Sequence, residues 1–193
     1  MTLPDPIELA GQWLEEASRA GAAQPDAMAL ATADAQGQPS VRMVLMRGLD
    51  QAGFRFYTNR TSRKAGELDA NPRAAIAFHW EPPGLQLRAE GDVRILDDEA
   101  SDAYFAGRPR ESQLGAWASD QSSEIASREE LLDAYAAEQR RFGDGPVSRP
   151  PHWGGYLLVP DSIEFWEHGE FRLHRRRLFT REGDGWTMRL LAP

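Results

Sequence analysis

The spacing of apolar residues changes along the chain, and each change marks a new type of element. Residues 6–19 place Leu9, Trp13 and Leu14 on one face at helical spacing, which predicts an amphipathic helix that packs on a larger body. Asp5 stands where a side chain caps such a helix. Residues 1–22 are therefore expected to form an N-terminal helix on the outside of the fold.

From residue 27 onward, short apolar or alternating runs are separated by turns that are rich in Gly, Asp and Pro. Such runs predict strands, and the predicted strands are residues 27–33, 40–47, 54–58, 74–80, 85–96, 154–159 and 162–166, followed by a hairpin over residues 173–190. Short turns between strands favour an antiparallel sheet or a closed barrel over a parallel α/β fold.

Helical periodicity returns between the strands. It predicts a helix over residues 61–70 and a helical insertion, residues 97–142, whose three helices cover residues 97–106, 109–117 and 127–142. Ser127 and Glu130 form a capping box at the start of the last helix. The prediction is an α+β chain, with one domain over residues 1–193: a mostly antiparallel barrel with peripheral helices, completed by C-terminal strands in residues 153–193.

Composition removes several classes of function. The 193 residues carry a formal charge of −8 and include no cysteine, which excludes disulfides, thiolate metal sites and a cysteine nucleophile and argues against a general nucleic-acid binder. No apolar run approaches the roughly 20 residues that span a membrane. The N-terminus lacks the basic and apolar regions of a secretory signal. We expect a soluble cytoplasmic protein.

Two predicted helix starts carry cations, although a helix N-terminus is itself partly positive. They are residues 61–64 (Thr-Ser-Arg-Lys) and residues 108–112 (Arg-Pro-Arg-Glu-Ser). Cations beside a hydroxyl and free backbone N–H groups are suited to binding phosphate. The alternative is that these are solvated cations paired with carboxylates such as Glu67 or Glu111. Two such clusters in an acidic chain favour the phosphate interpretation.

Tyr104, Arg108 and Ser112 are four residues apart, which aligns them approximately on one helical face. Tyr104 is alternatively an ordinary core aromatic residue. Arg42 and Arg47 lie five apart in a predicted strand, which places them on opposite faces of a regular strand. They are therefore either two functional residues with different roles or the charged ends of a strand.

Arg172 and His174 are two residues apart, so both are expected on one face of a strand. Arginine beside histidine can bind an anionic or phenolic substrate, and histidine can carry a proton. His168 and His174 lack metal-ligand spacing, so no metal site is predicted.

Several motifs, in this order and spacing, resemble the pyridoxamine (pyridoxine) 5′-phosphate oxidase family over almost the whole chain. The motifs are residues 42–47 (Arg-Met-Val-Leu-Met-Arg), 56–59, 62–64, 108–117, 121–123, 165–166, 172–174 and 189–193.

The resemblance implies an FMN-binding split barrel that works as a homodimer, with FMN at the subunit interface. The residues that it implies for FMN are Arg42, Met43, Val44, Leu45, Tyr57, Thr58, Arg63, Lys64, Gln86, Gln121, Ser122, Trp166 and Arg176. Those that it implies for the substrate phosphate are Arg47, Tyr104, Arg108 and Ser112. Arg172 and His174 would be the catalytic pair, holding the pyridine ring and its phenolic oxygen.

The implied reaction moves a hydride from C4′ of pyridoxamine or pyridoxine 5′-phosphate to N5 of FMN. The alcohol gives pyridoxal 5′-phosphate directly, whereas the amine gives an imine that water hydrolyses to pyridoxal 5′-phosphate and ammonia. O2 then reoxidises the flavin and forms hydrogen peroxide. Three positions depart from the family pattern: Arg47 replaces a common lysine, Gln24 an acidic residue and Arg175 an aspartate. The alternatives are therefore a related flavin oxidase of the phenazine type, or a non-catalytic protein that binds FMN or pyridoxal phosphate.

Overall fold

The computed structural model describes residues 3–193. Its elements, in chain order, are α1 (Pro6–Arg19), β1 (Ala27–Ala33), β2 (Pro39–Asp50), β3 (Gly53–Asn59), α2 (Arg63–Ala70), β4 (Arg73–Trp80), β5 (Leu85–Ile95), α3 (Asp98–Ala106), α4 (Arg110–Ala118), α5 (Arg128–Phe142), β6 (Trp153–Glu167), a 3₁₀ turn (Glu170–Arg172), β7 (Arg175–Glu182) and β8 (Gly185–Leu191). The helix at residues 6–19 and the strand at residues 27–33 have the predicted bounds. Within residues 3–193, no helix is long and apolar enough to cross a membrane.

The eight strands form one antiparallel sheet in the order β3-β2-β1-β4-β5-β6-β7-β8, and an additional β3–β6 pairing closes six of them into a barrel. This confirms the predicted α+β barrel. The first half of β6 pairs with β3 and its second half pairs with β7. The β7–β8 hairpin therefore extends the sheet beyond the closed barrel.

The barrel core follows from strand alternation. Buried and half-buried positions alternate along β1, and fully buried residues such as Leu30, Phe78 and Phe165 fill the interior. Trp13 of α1 meets the Phe165 ring edge-on, with 4.9 Å between ring centroids. The helix is fixed locally as well, because the Asp5 carboxylate accepts the Ile7 N–H at 2.7 Å.

A second, smaller apolar cluster lies beneath the helical insertion. Phe105 of α3, Leu114 of α4, Val147 and Trp153 form it. The Phe105 and Trp153 rings meet at 69° with 5.1 Å between centroids. This cluster fixes α3 and α4 against β6, and so positions the loop that joins the two helices.

The prediction of two separate strands over residues 154–159 and 162–166 was wrong. Pro160 lacks an N–H, but β6 continues through it with a bulge. Gly91 pairs with Pro160 and Glu90 pairs with Ser162, which leaves Asp161 without a partner on β5. The backbones approach closely there, and a Cβ on Gly91 would lie 2.0 Å from the Val159 carbonyl oxygen. One long strand therefore replaces the predicted pair.

The placement of Arg172 and His174 on one face of a strand was also wrong. Phe171 and Arg172 have φ angles of 55° and 64°, in the left-handed region, and Arg172 ends a 3₁₀ turn. The chain folds back tightly here, since a Cβ on Gly169 would lie 2.1 Å from the Leu173 carbonyl oxygen. His174 immediately precedes β7.

Candidate active site

A cavity of about 1320 Å³ opens along β2 and β3 and is bounded by α2, α3 and α4. Among the described residues, its lining contains no aspartate or glutamate, and its cations are Arg42, Arg47, Arg63, Lys64 and Arg108. Such a lining, in a chain with a net charge of −8, creates a local positive potential that favours anionic ligands.

Lys64 lies at one end of the cavity, in the first turn of α2. Its ammonium group donates to Gln121 Oε1 at 2.6 Å, to Thr58 Oγ1 at 3.1 Å and to Ser62 Oγ at 3.2 Å. Burial lowers the pKa of Lys64 to about 8, and the positive charge of Arg42 contributes to the same shift. A bound anion would favour its charged form.

Arg42 and Arg63, at the same end, share one carboxylate. Glu67 accepts from Arg63 Nε at 2.8 Å and from Arg42 Nη2 at 3.1 Å. The sequence left open whether Arg63 binds phosphate or pairs with a carboxylate such as Glu67. In the structure, Arg63 pairs with Glu67. Burial acts to raise the pKa of Glu67, but hydrogen bonds from Ser40, Thr32 and the two arginines outweigh it and lower this pKa to about 2.

The loop that precedes α2 meets a second loop at this end. Ser122 has a φ of 80°, and its hydroxyl accepts the Arg63 N–H at 3.2 Å. The Ser62 side chain makes no capping bond to α2. Thr58 Oγ1 donates to Gln121 Oε1 at 3.0 Å. These loops thus bring hydroxyl, amide and cationic groups to a helix N-terminus, the arrangement that binds phosphate in many proteins.

Arg108 lies at the other end, between α3 and α4. Its guanidinium covers the Trp153 ring, with 4.7 Å from Cζ to the centroid. Arg108 Nη1 is buried and has no hydrogen-bond partner among the described residues. Burial lowers the pKa of Arg108, and the neighbouring charge of Arg47 lowers it further. An unpaired buried donor of this kind requires an acceptor.

Tyr104, Ser112 and Arg47 line the same cavity as Arg108, and Tyr104 and Arg47 both act electrostatically on its guanidinium. The Tyr104 ring stacks on the Tyr57 ring at 3.9 Å between centroids, so it is at once a packing residue and part of the cavity wall. Arg47 forms an ion pair of 2.5 Å with Asp26.

Strand β2 runs along the cavity between these two ends. Met43, Val44 and Leu45 line it, and Arg42 and Arg47 do so as well. The pairing of β2 with β3 shifts register between Met46 and Gly48, which interrupts regular alternation at Arg47. The two arginines have different partners, Glu67 and Asp26.

Five predicted site residues lie outside this cavity's lining and form a second cluster. Gln86, Trp166 and Arg176 are cross-strand neighbours on β5, β6 and β7. The His174 ring lies 4.5 Å from the Trp166 ring, and exposed Arg172 lies close by in sequence. We call Gln86, Trp166, Arg172, His174 and Arg176 the C-terminal cluster.

Sequence reasoning missed three participants. Trp153 follows a loop and carries no local signal of its contact with Arg108. Thr32 and Ser40 both donate to Glu67, and they face each other across the β1–β2 ladder. Only the register of these two strands could have revealed that both hydroxyls contact Glu67. The pairing of Arg63 with Glu67, by contrast, follows an i,i+4 spacing that is visible in the sequence.

Comparison with known proteins identifies the family of this chain. Residues 14–139 match the family model described as pyridoxamine 5′-phosphate oxidase. Residues 153–193 match the model of the pyridoxine 5′-phosphate oxidase C-terminal dimerisation region. A pyridoxine/pyridoxamine 5′-phosphate oxidase of Rubrobacter xylanophilus is 54% identical over 98% of this chain and 88% of its own length.

Two solved structures are also similar. PhzG from Burkholderia lata, in complex with tetrahydrophenazine-1-carboxylic acid, has a TM-score of 0.92 and 34% identity, covering 100% of this chain and 98% of its own. A pyridoxamine 5′-phosphate oxidase-related, FMN-binding protein from Nostoc punctiforme has a TM-score of 0.78 and 22% identity, with complete coverage of both chains, and shows the shared fold. The chain therefore belongs to the pyridoxine/pyridoxamine 5′-phosphate oxidase family, a family of FMN-dependent oxidoreductases.

Proposed function

We propose that the chain oxidises pyridoxamine 5′-phosphate, pyridoxine 5′-phosphate or both to pyridoxal 5′-phosphate, with FMN as cofactor and O2 as electron acceptor. The observation that carries this proposal is the cavity lining, with five cations and, in the described residues, no carboxylate. Guanidinium and ammonium groups bind phosphate through charge-assisted hydrogen bonds. Cations at both ends suit two phosphate esters, one on the cofactor and one on the substrate.

The residues at the α2 end fit the FMN phosphate. Arg63 and Lys64 supply charge, while Gln121 and Ser122 bring polar groups to the same helix start. The cavity, of about 1320 Å³ and open to solvent, is large enough for a flavin. When bound, FMN supplies the hydride acceptor at N5 and passes the electrons to O2.

Arg108, Arg47, Tyr104 and Ser112 would hold the substrate phosphate. Arg108 lines the cavity, so its guanidinium would donate to a phosphate oxygen bound there. Asp26, through its ion pair, keeps Arg47 at this end. Because the substrate would be held by its phosphate at one end of the cavity and FMN by its phosphate at the α2 end, the two rings would be kept close together, which is a proximity effect.

Arg172 and His174 would orient the pyridine ring. His174 Nδ1 accepts the Gly169 N–H at 3.3 Å, so the neutral imidazole carries its proton on Nε2. That N–H is then the group that can donate to the phenolic oxygen. Arg172 would supply a positive charge on the same ring.

The C-terminal cluster would reach the cavity from a second subunit. Residues 153–193, which match a dimerisation region, hold four of its five members. Val41 and Met43 at the cavity are 69% and 65% exposed, and Phe171 beside Arg172 is 88% exposed. Exposed apolar side chains at the cavity and at the cluster fit an interaction surface on each. In a two-fold homodimer, each cavity would therefore be completed by the cluster of the other protomer.

Oxygen uptake and peroxide formation with FMN-loaded protein test the activity. We expect both with pyridoxamine 5′-phosphate, and a comparison with pyridoxine 5′-phosphate gives the preference. Tightly bound FMN without turnover on either ester would refute the oxidase and leave the flavin-binding alternative.

The likeness to PhzG supports a second candidate, a flavin oxidase that acts on a tetrahydrophenazine carboxylate. The same assay with tetrahydrophenazine-1-carboxylic acid separates the two. Because Arg108 and Arg47 offer a site for a dianionic phosphate, we expect turnover of the phosphate esters. Oxidation of the phenazine alone would reverse the assignment.

Mixing two variants that are each impaired, assayed at a substrate concentration well below the raised KM of Arg108→Ala, tests the shared site. Arg108→Ala damages the cavity and Arg172→Ala damages the cluster. A heterodimer formed after subunit exchange would contain one site with both defects and one intact site, so a random mixture should recover roughly a quarter of wild-type activity. No recovery, after exchange is verified by differently tagged subunits, would place the cluster and cavity in the same subunit.

A further inference from the structure

Glu67 is a buried carboxylate for which the proposed chemistry has no direct use. It is only 5% exposed and does not line the cavity. Thr32, Ser40, Arg42 and Arg63 all donate to it, with 2.6 Å from Ser40 Oγ and 2.8 Å from Arg63 Nε. A carboxylate with this many donors is ionised and held rigidly.

The bond to Arg63 leaves the outer part of that guanidinium free. Arg63 gives its Nε to Glu67, and within residues 3–193 neither of its Nη atoms makes a hydrogen bond. Its side chain is 61% exposed and lines the cavity. An arginine held through Nε presents both Nη groups as a fork, which is the geometry that binds phosphate bidentately.

Arg42 differs, because its outer nitrogens are already used. Arg42 Nη1 donates to the Leu30 carbonyl oxygen at 3.1 Å and to Thr32, and Nη2 donates to Ser40 and Glu67. Arg42 therefore serves chiefly as a fixed charge beside the cavity. Glu67 compensates that half-buried charge and at the same time holds the more exposed Arg63.

We propose that Glu67 is a positioning residue for the FMN phosphate, which acts by fixing the Arg63 guanidinium so that its two Nη groups point at the phosphate. This inference rests on the proposed function, since it takes FMN as the ligand of the α2 end. Glu67 does not touch the flavin, so its removal should weaken binding of the phosphate and leave the ring's interactions unchanged.

Riboflavin, which has the same ring and no phosphate, provides the decisive comparison. Flavin-free protein would be titrated with FMN and with riboflavin, followed by quenching of flavin fluorescence. We expect Glu67→Gln to raise the Kd for FMN about tenfold and to change the Kd for riboflavin less than twofold. Equal losses for both flavins would show a merely structural role and overturn the proposal.

Glu138→Gln is the matched control. Glu138 pairs with Arg141 one turn away at 3.0 Å, as Glu67 does with Arg63, but it lies on α5 outside the cavity lining. This variant should leave both affinities at wild-type values.

Thr32→Val is the substitute if Glu67→Gln fails to fold, since it removes one donor to Glu67 and keeps the carboxylate. We expect a threefold loss of affinity for FMN and none for riboflavin. An unchanged FMN affinity would count against the proposal.

A double-mutant cycle tests the route through Arg63. In an Arg63→Met background, Glu67→Gln should cost less than twofold in FMN affinity, since the residue that it positions is gone. A loss as large as in the wild-type background would overturn the assignment to Arg63. Failure of the wild-type protein to prefer FMN over riboflavin would instead refute the proposed cofactor site itself, so the two failures are distinguishable.

Discussion

We expect Lys64 to make FMN affinity depend on pH. In the flavin-free protein, burial and the charge of Arg42 lower the pKa of Lys64 to about 8. A phosphate beside the ammonium group favours the charged form and raises this pKa in the complex. Because the pKa is higher in the bound state than in the free state, the affinity is greatest below pH 8 and falls as the pH rises above it.

The size of the effect follows from the free-state pKa. At pH 9, about nine-tenths of the free protein would carry a neutral Lys64, so the Kd for FMN should be about tenfold higher than at pH 7. Other groups of the cavity do not interfere, since arginines stay charged and burial raises the pKa of Tyr57 above its ordinary value. Measurement above pH 7 also keeps the phosphate a dianion.

The assay is fluorescence titration of flavin-free protein between pH 7 and 9, with wild type and two variants. Lys64→Met removes the charge, so it should raise the Kd at pH 7 by about 10- to 100-fold, the value of one charge-assisted hydrogen bond, and abolish the pH dependence. Lys64→Arg keeps a positive charge that does not titrate, so FMN binding should lose its pH dependence. It should also be weaker than in the wild type, because three acceptors at 2.6–3.2 Å form a site that fits a compact ammonium group and not a larger guanidinium. A wild-type Kd that is constant over this range, or a slope that survives in Lys64→Met, would refute the reasoning.

Three further substitutions probe other parts of the site. Arg108→Ala should raise the KM for pyridoxamine 5′-phosphate about 10- to 100-fold, because it removes a charge-assisted phosphate contact; steady-state kinetics with an unchanged KM would exclude Arg108 from the phosphate site. Arg172→Ala should lower kcat while the flavin stays bound, and loss of flavin absorbance on purification would contradict this division of roles. Gly155→Ala places a Cβ 2.7 Å from both the Tyr57 ring and Leu96, so thermal unfolding should show a loss of about 1–3 kcal/mol, and an unchanged melting temperature would show that the ring yields without cost.

Local sequence signals determined the elements whose hydrogen bonds and apolar faces are themselves local. Asp5 and the apolar stripe define α1 at Pro6–Arg19. At the start of α5, Glu130 N donates to Ser127 Oγ and the Glu130 carboxylate accepts the Ala126 N–H at 2.8 Å, which is nearly the predicted capping box. Alternation predicted an antiparallel barrel because each strand buries one face.

Long-range pairing decided what local signals could not. Pro160 predicts a strand end, yet β6 continues because Gly91 of β5 allows a close backbone approach. Spacing in a strand predicted that Arg172 and His174 share a face, yet a left-handed turn separates them. In the first case the deciding contact comes from another strand, and in the second from a tight turn over residues 169–173 that the spacing rule for a strand does not include.

The sequence, through its family motifs, predicted which residues belong to the candidate site. The tertiary structure alone decided how they divide, with the cationic cavity on the barrel and the C-terminal cluster on β5, β6 and the β7 region. It also decided that Glu67 is the centre of a network with Thr32 and Ser40, since the β1–β2 register places these hydroxyls side by side. The physical reason is that a buried charge is stabilised by donors from several elements at once, and only folding brings those elements together.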